Sequence, residues 1–176
     1  MIDPISESLK SLVEYFDSRE IPYVIVGWVA VFVLGRTRFT MDVDIILDHS
    51  KLDRKDFIEF LQKNNFDASL DDLIGFDEES HCTFFFKEGM FRIDIKGTYS
   101  ILEHESIQMA INGIYNGIKL RINNPINLIV FKLKFGSEQD YEDALAVFIR
   151  NKKRIEIDSL REKAKKLNIE NKLNDF

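Results

Sequence analysis

The sequence predicts an α/β (α+β) fold: a mixed β-sheet flanked by helices and followed by a C-terminal helical segment. Three observations predict it. Short runs in which apolar and polar residues alternate, bounded by turn signals, lie within residues 22–122. Amphipathic helical patterns lie between these runs. From residue 123 onward every pattern is helical, so we expect a core over 1–122 with a helical segment, 123–176, packed on it.

The first predicted element is an N-terminal helix. Its apolar residues recur every three or four positions and so form one helical face; they are Ile5, Leu9, Leu12, Val13 and Phe16. Asp3 is a favourable N-cap and Pro4 suits the first helical turn. We therefore expect a helix that starts at Pro4 and buries one face.

Strands and helices then alternate. The predicted elements are a strand at 22–26, a helix at 28–34, a strand at 42–47 and a helix at 50–64. Gly35 is the expected C-cap of the short helix, because glycine tolerates the conformations that end helices. Ser50 is the expected N-cap of the longer one, whose inward residues are Leu52, Phe57, Phe60 and Leu61.

Two hairpins are predicted in the middle of the chain. Strands at 83–87 and 90–96 are joined at Glu88-Gly89, after an acidic stretch, 67–80, that we interpret as a loop. A helix at 101–111 follows. Asn116-Gly117 then indicates a second hairpin, since both residues tolerate the positive φ of a type I′ turn.

The C-terminal segment opens with Asn124 as helix cap and Pro125 as first helical residue. Breaks in the helical pattern are expected near Gly136 and near Asn151. Ser159 and Glu162 have the spacing of a capping box, which predicts that the last helix begins there.

Composition excludes several classes of protein. A single cysteine, Cys82, excludes an intramolecular disulfide and a cysteine-based zinc cluster. The apolar run 21–34 is too short for a membrane span, and Pro22 and Gly27 interrupt it. The N-terminus shows no signal-peptide pattern, so we expect a cytoplasmic protein with no membrane partner.

Charge is uneven along the chain. The net charge of −6 argues against a surface that coats nucleic acid, yet residues 150–176 hold nine Lys/Arg against five Asp/Glu. An amphipathic helix with a solvated lysine face is the favoured interpretation of this tail. A footprint for RNA is the alternative.

The residues that indicate chemistry are three aspartates. Asp42 and Asp44 project to the same side of a strand, because side chains alternate in extended chains. Two carboxylates on one side repel unless a cation compensates them, and carboxylate oxygens suit Mg²⁺. Asp94 lies in another alternating run. Together with a turn at Gly27-Trp28, they suggest metal-assisted nucleotidyl transfer.

These motifs have a family resemblance. Gly27-Trp28, a gap of thirteen residues and then Asp42-Val43-Asp44-Ile45 resemble the signature of the DNA polymerase beta-like nucleotidyltransferase superfamily. Asp94 is similar to the third metal carboxylate of that family. Further positions match its small prokaryotic members; they are Gly35, Arg38 and Thr40.

A downstream element resembles one branch of the superfamily. Lys132-Leu133 followed by Asp140 and Asp143 is similar to the K-L-x₆-D-x-x-D element of the abortive-infection type branch, which includes toxins of toxin–antitoxin pairs. Two positions depart from the pattern. Trp28 replaces a small residue, and Ser137 and Gln139 stand where basic residues are common.

The resemblance implies a nucleotidyltransferase fold and a reaction. Mg²⁺ or Mn²⁺ would be held by Asp42, Asp44 and Asp94, and an NTP such as ATP would donate NMP to a hydroxyl of RNA, protein or a small molecule. The expected contacts to nucleotide are Gly27, Trp28, Arg38, Thr40, Lys132, Asp140 and Asp143. The partners it implies are nucleotide, tRNA or another RNA, and a cognate antitoxin.

Alternatives stay open at this point. The fold could be catalytically degenerate and bind only nucleotide or a partner, which would account for Trp28. The indole could cover the phosphate turn, stack on a base or fill the core, and the apolar run around it favours the core. Lys132 could contact phosphate or snorkel to the surface, and Asp140 with Asp143 could orient it or serve as surface charges.

Overall fold

The computed structural model describes residues 4–37, 40–89, 91–174 and 176. Seven α-helices are described there: α1 Pro4–Ser18, α2 Gly27–Leu34, α3 Arg54–Lys63, α4 Ile101–Gln108, α5 Pro125–Phe135, α6 Glu138–Asn151 and α7 Ile157–Lys166. The strands are β1 Tyr23–Ile25, β2 Asp42–Leu47, β3 Phe66–Asp67, β4 His81–Phe86, β5 Arg92–Lys96, β6 Ile111–Tyr115 and β7 Ile118–Ile122. Short 3₁₀ turns complete the chain at His49–Lys51, Leu70–Phe76 and Glu170–Leu173.

All seven strands form one mixed sheet in the order β3-β4-β5-β2-β1-β7-β6. The central pairs β2–β5 and β1–β7 are parallel, whereas β1–β2 and the two hairpins are antiparallel. Helices cover the sheet, which confirms the α/β (α+β) class and the mixed sheet expected from the sequence. Among the helices of the described ranges, none is both long and apolar enough to cross a membrane.

The register of β2 against β5 positions the aspartates. Asp42 lies opposite Arg92, and Asp44 lies opposite Asp94. The residues between them, among them Val43 and Ile45, are buried on the other face of the sheet. Strand alternation therefore places every acidic side chain of this strand pair on one face.

Local turn signals predicted several junctions correctly. Asn116 and Gly117 have φ values of 46° and 81°, as the Asn-Gly hairpin requires. Asn124 accepts a hydrogen bond from the Asn127 amide at the start of α5, and Pro125 is the first helical residue. Gly136 ends that helix in the left-handed conformation.

Other boundary predictions were wrong. Ser50 lies in a 3₁₀ turn that Asp48 caps, and Asp53 caps α3 instead, accepting from the Lys55 and Asp56 amides. Ser159 lies inside α7, whose N-cap is Glu156. An N-cap residue has extended backbone, and it is Asp53 and Glu156 that have this conformation at the two helix starts.

The acidic stretch 67–80 is only partly a loop. It contains the 3₁₀ turn Leu70–Phe76, which Ser69 and Asp72 stabilise with a reciprocal capping box. Leu73 and Phe76 bury their side chains in the main core. The predicted cap Asp3 lies outside the described residues.

The helical segment after β7 packs on the α/β core. The Asn151 side chain of α6 donates to the Leu34 carbonyl of α2 at 2.6 Å, and residues of α5 and α6 belong to the same apolar cluster as the sheet. A division into units at residue 122 stays a prediction. Residues of α5 and of β2 line the same cleft, which contains the candidate site.

Candidate active site

Asp42, Asp44 and Asp94 converge at the sheet face. Each offers one carboxylate oxygen, and these three oxygens lie within 4.8 Å of one another. All three residues are partly buried. A set of three hard oxygen donors at this spacing fits a divalent cation such as Mg²⁺ or Mn²⁺.

Asp94 is held on both of its oxygens. The Thr83 hydroxyl of β4 donates to Oδ1 at 2.6 Å, and the Arg92 guanidinium donates to Oδ2 at 3.0 Å. A second guanidinium nitrogen of Arg92 lies 3.8 Å from Asp42 Oδ2. Arg92 is therefore the cation that the protein itself supplies to the cluster, while Lys96 pairs with Glu103.

Asp44 is the most perturbed carboxyl group of the cluster. Burial raises its pKa from 3.8 to about 7, and the neighbouring charges of Asp42 and Asp94 add to the rise. The positive charges of Lys132 and Arg92 oppose it. A carboxyl group shifted in this way stands where added positive charge would be stabilising.

Gly27 is required by geometry. Its φ is +62°, and a Cβ atom at this position would collide with the Asp44 carboxylate. It begins α2, whose N-cap, Val26, has an apolar side chain that accepts no hydrogen bond. A helix N-terminus thus directly adjoins Asp44, and its amides and dipole favour an anion such as phosphate.

Trp28 belongs to the core. Its side chain is 2% exposed, and its ring packs edge-on against Tyr115 at a centroid distance of 5.7 Å. The indole therefore neither covers the turn nor stacks on a bound base. A small residue is not needed at this position, because the side chain points away from the cleft that Gly27 borders.

Gly27, Asp44 and Asp94 border a cleft of about 480 Å³ between the sheet and α5. Its polar lining includes Gly27, Asp44, Asp94 and Lys132. The rest of the lining is mainly apolar, and most of this apolar wall belongs to one side of α5. The remaining lining residues are Val26, Ile45, Ile46, Glu79, Ser80, His81, Lys96, Leu128, Phe131 and Phe135.

Lys132 is fixed by two aspartates of α6. Its ammonium lies 2.8 Å from Asp140 Oδ1 and 3.3 Å from Asp143 Oδ2, and Asp143 is fully buried. Burial would raise the pKa of Asp140, but hydrogen bonds from Lys132 and Ser137 outweigh it and hold that pKa below its usual range. The two aspartates orient Lys132 and are not simple surface charges.

Arg36 joins the same network. It donates to Asp143 Oδ1 and to Glu142 Oε2, each at 2.8 Å. These ion pairs join the segment after α2 to α6. Ser137, where the resemblance leads one to expect a basic residue, caps α6.

Two predicted nucleotide contacts, Arg38 and Thr40, precede β2 in the sequence. Arg38 lies outside the described residues. Thr40 is partly buried two residues before the strand begins. Their roles stay predictions.

Several cleft residues escaped the sequence analysis. Phe131 and Phe135 flank Lys132 at helical spacing, so the pattern of α5 held a signal for them. Glu79, Ser80 and His81 follow the 3₁₀ turn, and no local pattern indicates that this turn brings them to the cleft.

Comparison with known proteins supports the fold. No family model matches the chain, and no curated protein matches its sequence. Solved structures do match. The antibiotic-resistance factor ANT(2'')-Ia superposes with a TM-score of 0.66 at 14% identity, over 95% of this chain and 93% of the other.

Two further structures are similar. The lincosamide antibiotic adenylyltransferase LnuA has a TM-score of 0.55 at 14% identity, over 80% of this chain and 94% of LnuA. An antigenic nucleotidyltransferase-like protein from Paracoccidioides brasiliensis has a TM-score of 0.53 at 21% identity, over 81% and 74% of the two chains. At such identities the likeness concerns the fold, and the chain has the nucleotidyltransferase fold.

Proposed function

We propose that this protein is a metal-dependent nucleotidyltransferase that moves NMP from an NTP to a hydroxyl group of an acceptor. The observation that carries the proposal is a group of three neighbouring carboxylates, two of which line one cleft together with Lys132 and the N-terminus of α2. Each of these features, when it occurs alone, is unusual or costs the folded protein free energy. Together they match what a triphosphate with a divalent cation needs.

The carboxylates form the metal site of this proposal. Asp42, Asp44 and Asp94 would hold Mg²⁺ or Mn²⁺, since their oxygens are close enough to share one ion. A divalent cation held there supplies positive charge against the triphosphate oxygens. The Thr83 hydroxyl keeps the Asp94 carboxyl in place.

The reaction balances without a further reagent. The acceptor oxygen attacks the α-phosphorus, the bond from that phosphorus to the oxygen leading to the β-phosphate breaks, and pyrophosphate leaves. The acceptor proton passes to Asp94, to which we assign the role of base. This role requires Arg92 to release Asp94 Oδ2, which it holds in the structure.

The nucleotide contacts divide into two groups. The amides at Gly27 and Trp28 face the phosphates as a helix N-terminus, and Lys132, oriented by Asp140 and Asp143, adds a fixed positive charge. Arg38 and Thr40 belong to the same set through the resemblance alone.

A small-molecule hydroxyl is the acceptor that we propose. Among the similar structures, ANT(2'')-Ia is a complex with adenylyl-2''-tobramycin and LnuA is lincomycin-bound. The RNA alternative depended on the basic tail, and two of its lysines already pair with acidic residues. Lys163 pairs with Glu105, and Lys166 pairs with Glu162. A cognate antitoxin, the abortive-infection branch and a cytoplasmic location stay predictions from the sequence.

The degenerate-fold alternative loses its main argument. Trp28 was the departure that could have blocked nucleotide, and its side chain lies in the core. Gly27 is present, and any residue with a Cβ atom at this position would collide with Asp44.

The test is transfer of label from each of the four α-³²P-labelled NTPs, with Mg²⁺, to total RNA and to a panel of small-molecule alcohols that includes antibiotics. We expect label on a small molecule, abolished in Asp44→Asn and retained in Asp67→Asn. Asp67 is an exposed carboxylate of β3 outside the cleft. Failure of every NTP to transfer label or to bind would overturn the proposal in favour of a catalytically silent fold.

A further inference from the structure

The apolar wall of the cleft is a continuous face of α5. Leu128, Phe131 and Phe135 follow one another at intervals of three and four residues, and all three line the cleft. Val26 and Ile46 complete the apolar lining from the sheet side. Binding of a metal ion by the carboxylates does not require an apolar wall, so the wall calls for another role.

The Phe135 side chain is exposed at the cleft and is available to contact a ligand there. Its side chain is 74% exposed at the cleft, although large aromatic residues are otherwise mostly buried in this protein. Its ring lies nearly parallel to that of Phe131, with 25° between the planes and 6.5 Å between the centroids. The buried Phe131 supports it from one side, so the outer ring offers its area to the cleft.

The position of this wall relative to the phosphate site is fixed by α5. Lys132 and Asp44 line the same cleft. Phe135 follows Lys132 by three residues, which is about 4.5 Å along the helix axis on the same face. In a nucleotide, the sugar ring separates the phosphate from the base by a comparable distance.

We propose that Phe131 and Phe135 form the nucleobase subsite, and that this subsite selects purine NTPs by stacking area without distinguishing adenine from guanine. The inference rests on the proposed function. Its reason is the chemistry of the wall: Val26, Ile46, Leu128, Phe131 and Phe135 have no side-chain donor or acceptor that could identify a base edge. Stacking on an aromatic ring accepts every base and favours the larger ones.

The experiment separates base from phosphate binding. Isothermal titration at fixed Mg²⁺ compares the α,β-methylene analogue of ATP, which cannot release pyrophosphate, with inorganic tripolyphosphate. We expect Phe135→Ala to weaken binding of the ATP analogue about tenfold and to leave tripolyphosphate binding unchanged. Phe135→Trp should bind the analogue at least as tightly as the wild type.

The matched control is Ile149→Ala, which removes an exposed apolar side chain of α6 away from the cleft. It should bind both ligands as the wild type does. The corresponding GTP analogue should bind as tightly as the ATP analogue, and the CTP analogue several-fold more weakly.

Three outcomes would overturn the inference. An unchanged affinity of Phe135→Ala for the ATP analogue would assign the wall to the acceptor and leave the proposed function standing. A wild type that binds ATP but not GTP analogue would contradict selection by stacking alone. A wild type that binds neither tripolyphosphate nor any nucleotide would overturn the proposed function together with this inference.

Discussion

Two charged clusters border the same cleft and differ in how their charges are balanced. The carboxylate cluster of β2 and β5 has three aspartates and one guanidinium, that of Arg92. In the α5–α6 cluster, Lys132 and Arg36 meet three acidic groups of α6, and each of the three lies within 3.3 Å of a cation. The carboxylates outnumber the cations by two in the first cluster and by one in the second, so the first, unbalanced cluster has the larger excess of negative charge, whereas every carboxylate of the second, balanced cluster has a cation beside it.

The pKa directions follow this difference. Burial and two neighbouring carboxylates raise the pKa of Asp44 to about 7. At Asp140 burial acts the same way, but the Lys132 ammonium and the Ser137 hydroxyl bring its pKa below the usual range. A balanced cluster stabilises the fold and orients a side chain, whereas an unbalanced one is suited to bind a cation.

The largest effect is expected from breaking the balanced cluster. Asp143→Ala removes a fully buried carboxylate and leaves Lys132 and Arg36 without their shared partner. We expect a loss of about 3 kcal/mol in the free energy of unfolding, measured by urea denaturation. Glu142→Ala, which removes the exposed partner of Arg36, is the matched control and should cost about 0.5 kcal/mol or less. Equal losses in the two variants would contradict the distinction between the buried and the exposed partner.

A comparable gain is expected when the unbalanced cluster receives its cation and nucleotide. Mg²⁺ or Mn²⁺ with NTP should stabilise the wild type by about 2.7 kcal/mol at a hundredfold excess over Kd. Thermal unfolding measures it, and Asp44→Asn should abolish the shift. No shift with any of the four NTPs would favour a fold that has lost nucleotide binding.

Whether the sequence predicts a contact in these clusters depends on how much of the chain must be considered to relate the two residues. Asp42, Asp44 and Asp94 were predictable because alternation within short strands fixes their side, and the register of β2 with β5 does the rest. The Asn-Gly hairpin and the Asn124-Pro125 helix start are equally local signals. Each needs only a few neighbouring residues.

Other contacts join parts of the chain that no local pattern relates. Arg36 and Asp143 are 107 residues apart, and Trp28 meets Tyr115 of a distant hairpin. The exposure of Phe135 depends on where α5 lies over the sheet. The sequence therefore predicted the three aspartates and offered Asp140 and Asp143 as partners of Lys132, but it indicated neither the contacts of Arg36 and Trp28 nor the wall beside them.

A smaller effect should appear in the metal-free protein. The pKa of Asp44 is raised from 3.8 unfolded to about 7 folded, so its contribution to stability is present below pH 4 and is lost as the pH rises through 7. Asp44→Asn removes this charge. Without divalent metal it should be more stable than the wild type by on the order of 2 kcal/mol at pH 8.

The measurement is urea denaturation in a chelating buffer at several pH values. The advantage of Asp44→Asn should grow between pH 4 and pH 7 and stay constant above. A constant difference across this range would mean that the Asp44 charge is not what destabilises the site. Added Mg²⁺ with NTP should reverse the order of the two proteins, because only the wild type gains the bound state.

The smallest expected effect concerns Arg92, the one guanidinium that the carboxylate cluster contains in the described ranges. It donates to Asp94 Oδ2 at 3.0 Å and lies 3.8 Å from Asp42, so it occupies oxygens that a metal ion needs. Because its side chain is 45% exposed, its release costs little. Arg92→Gln should therefore bind Mn²⁺ in the absence of nucleotide several-fold more tightly than the wild type, a gain of about 1 kcal/mol.

Titration of free Mn²⁺ followed by electron paramagnetic resonance measures this affinity directly. Arg54→Gln is the control, since Arg54 forms an exposed ion pair with Asp77 outside the carboxylate cluster. Weaker Mn²⁺ binding in Arg92→Gln would show that the guanidinium orients Asp94 for the metal instead of competing with it. The unbalanced cluster would then depend on a fixed cation as the balanced one does, and the contrast between them would lie in burial more than in charge.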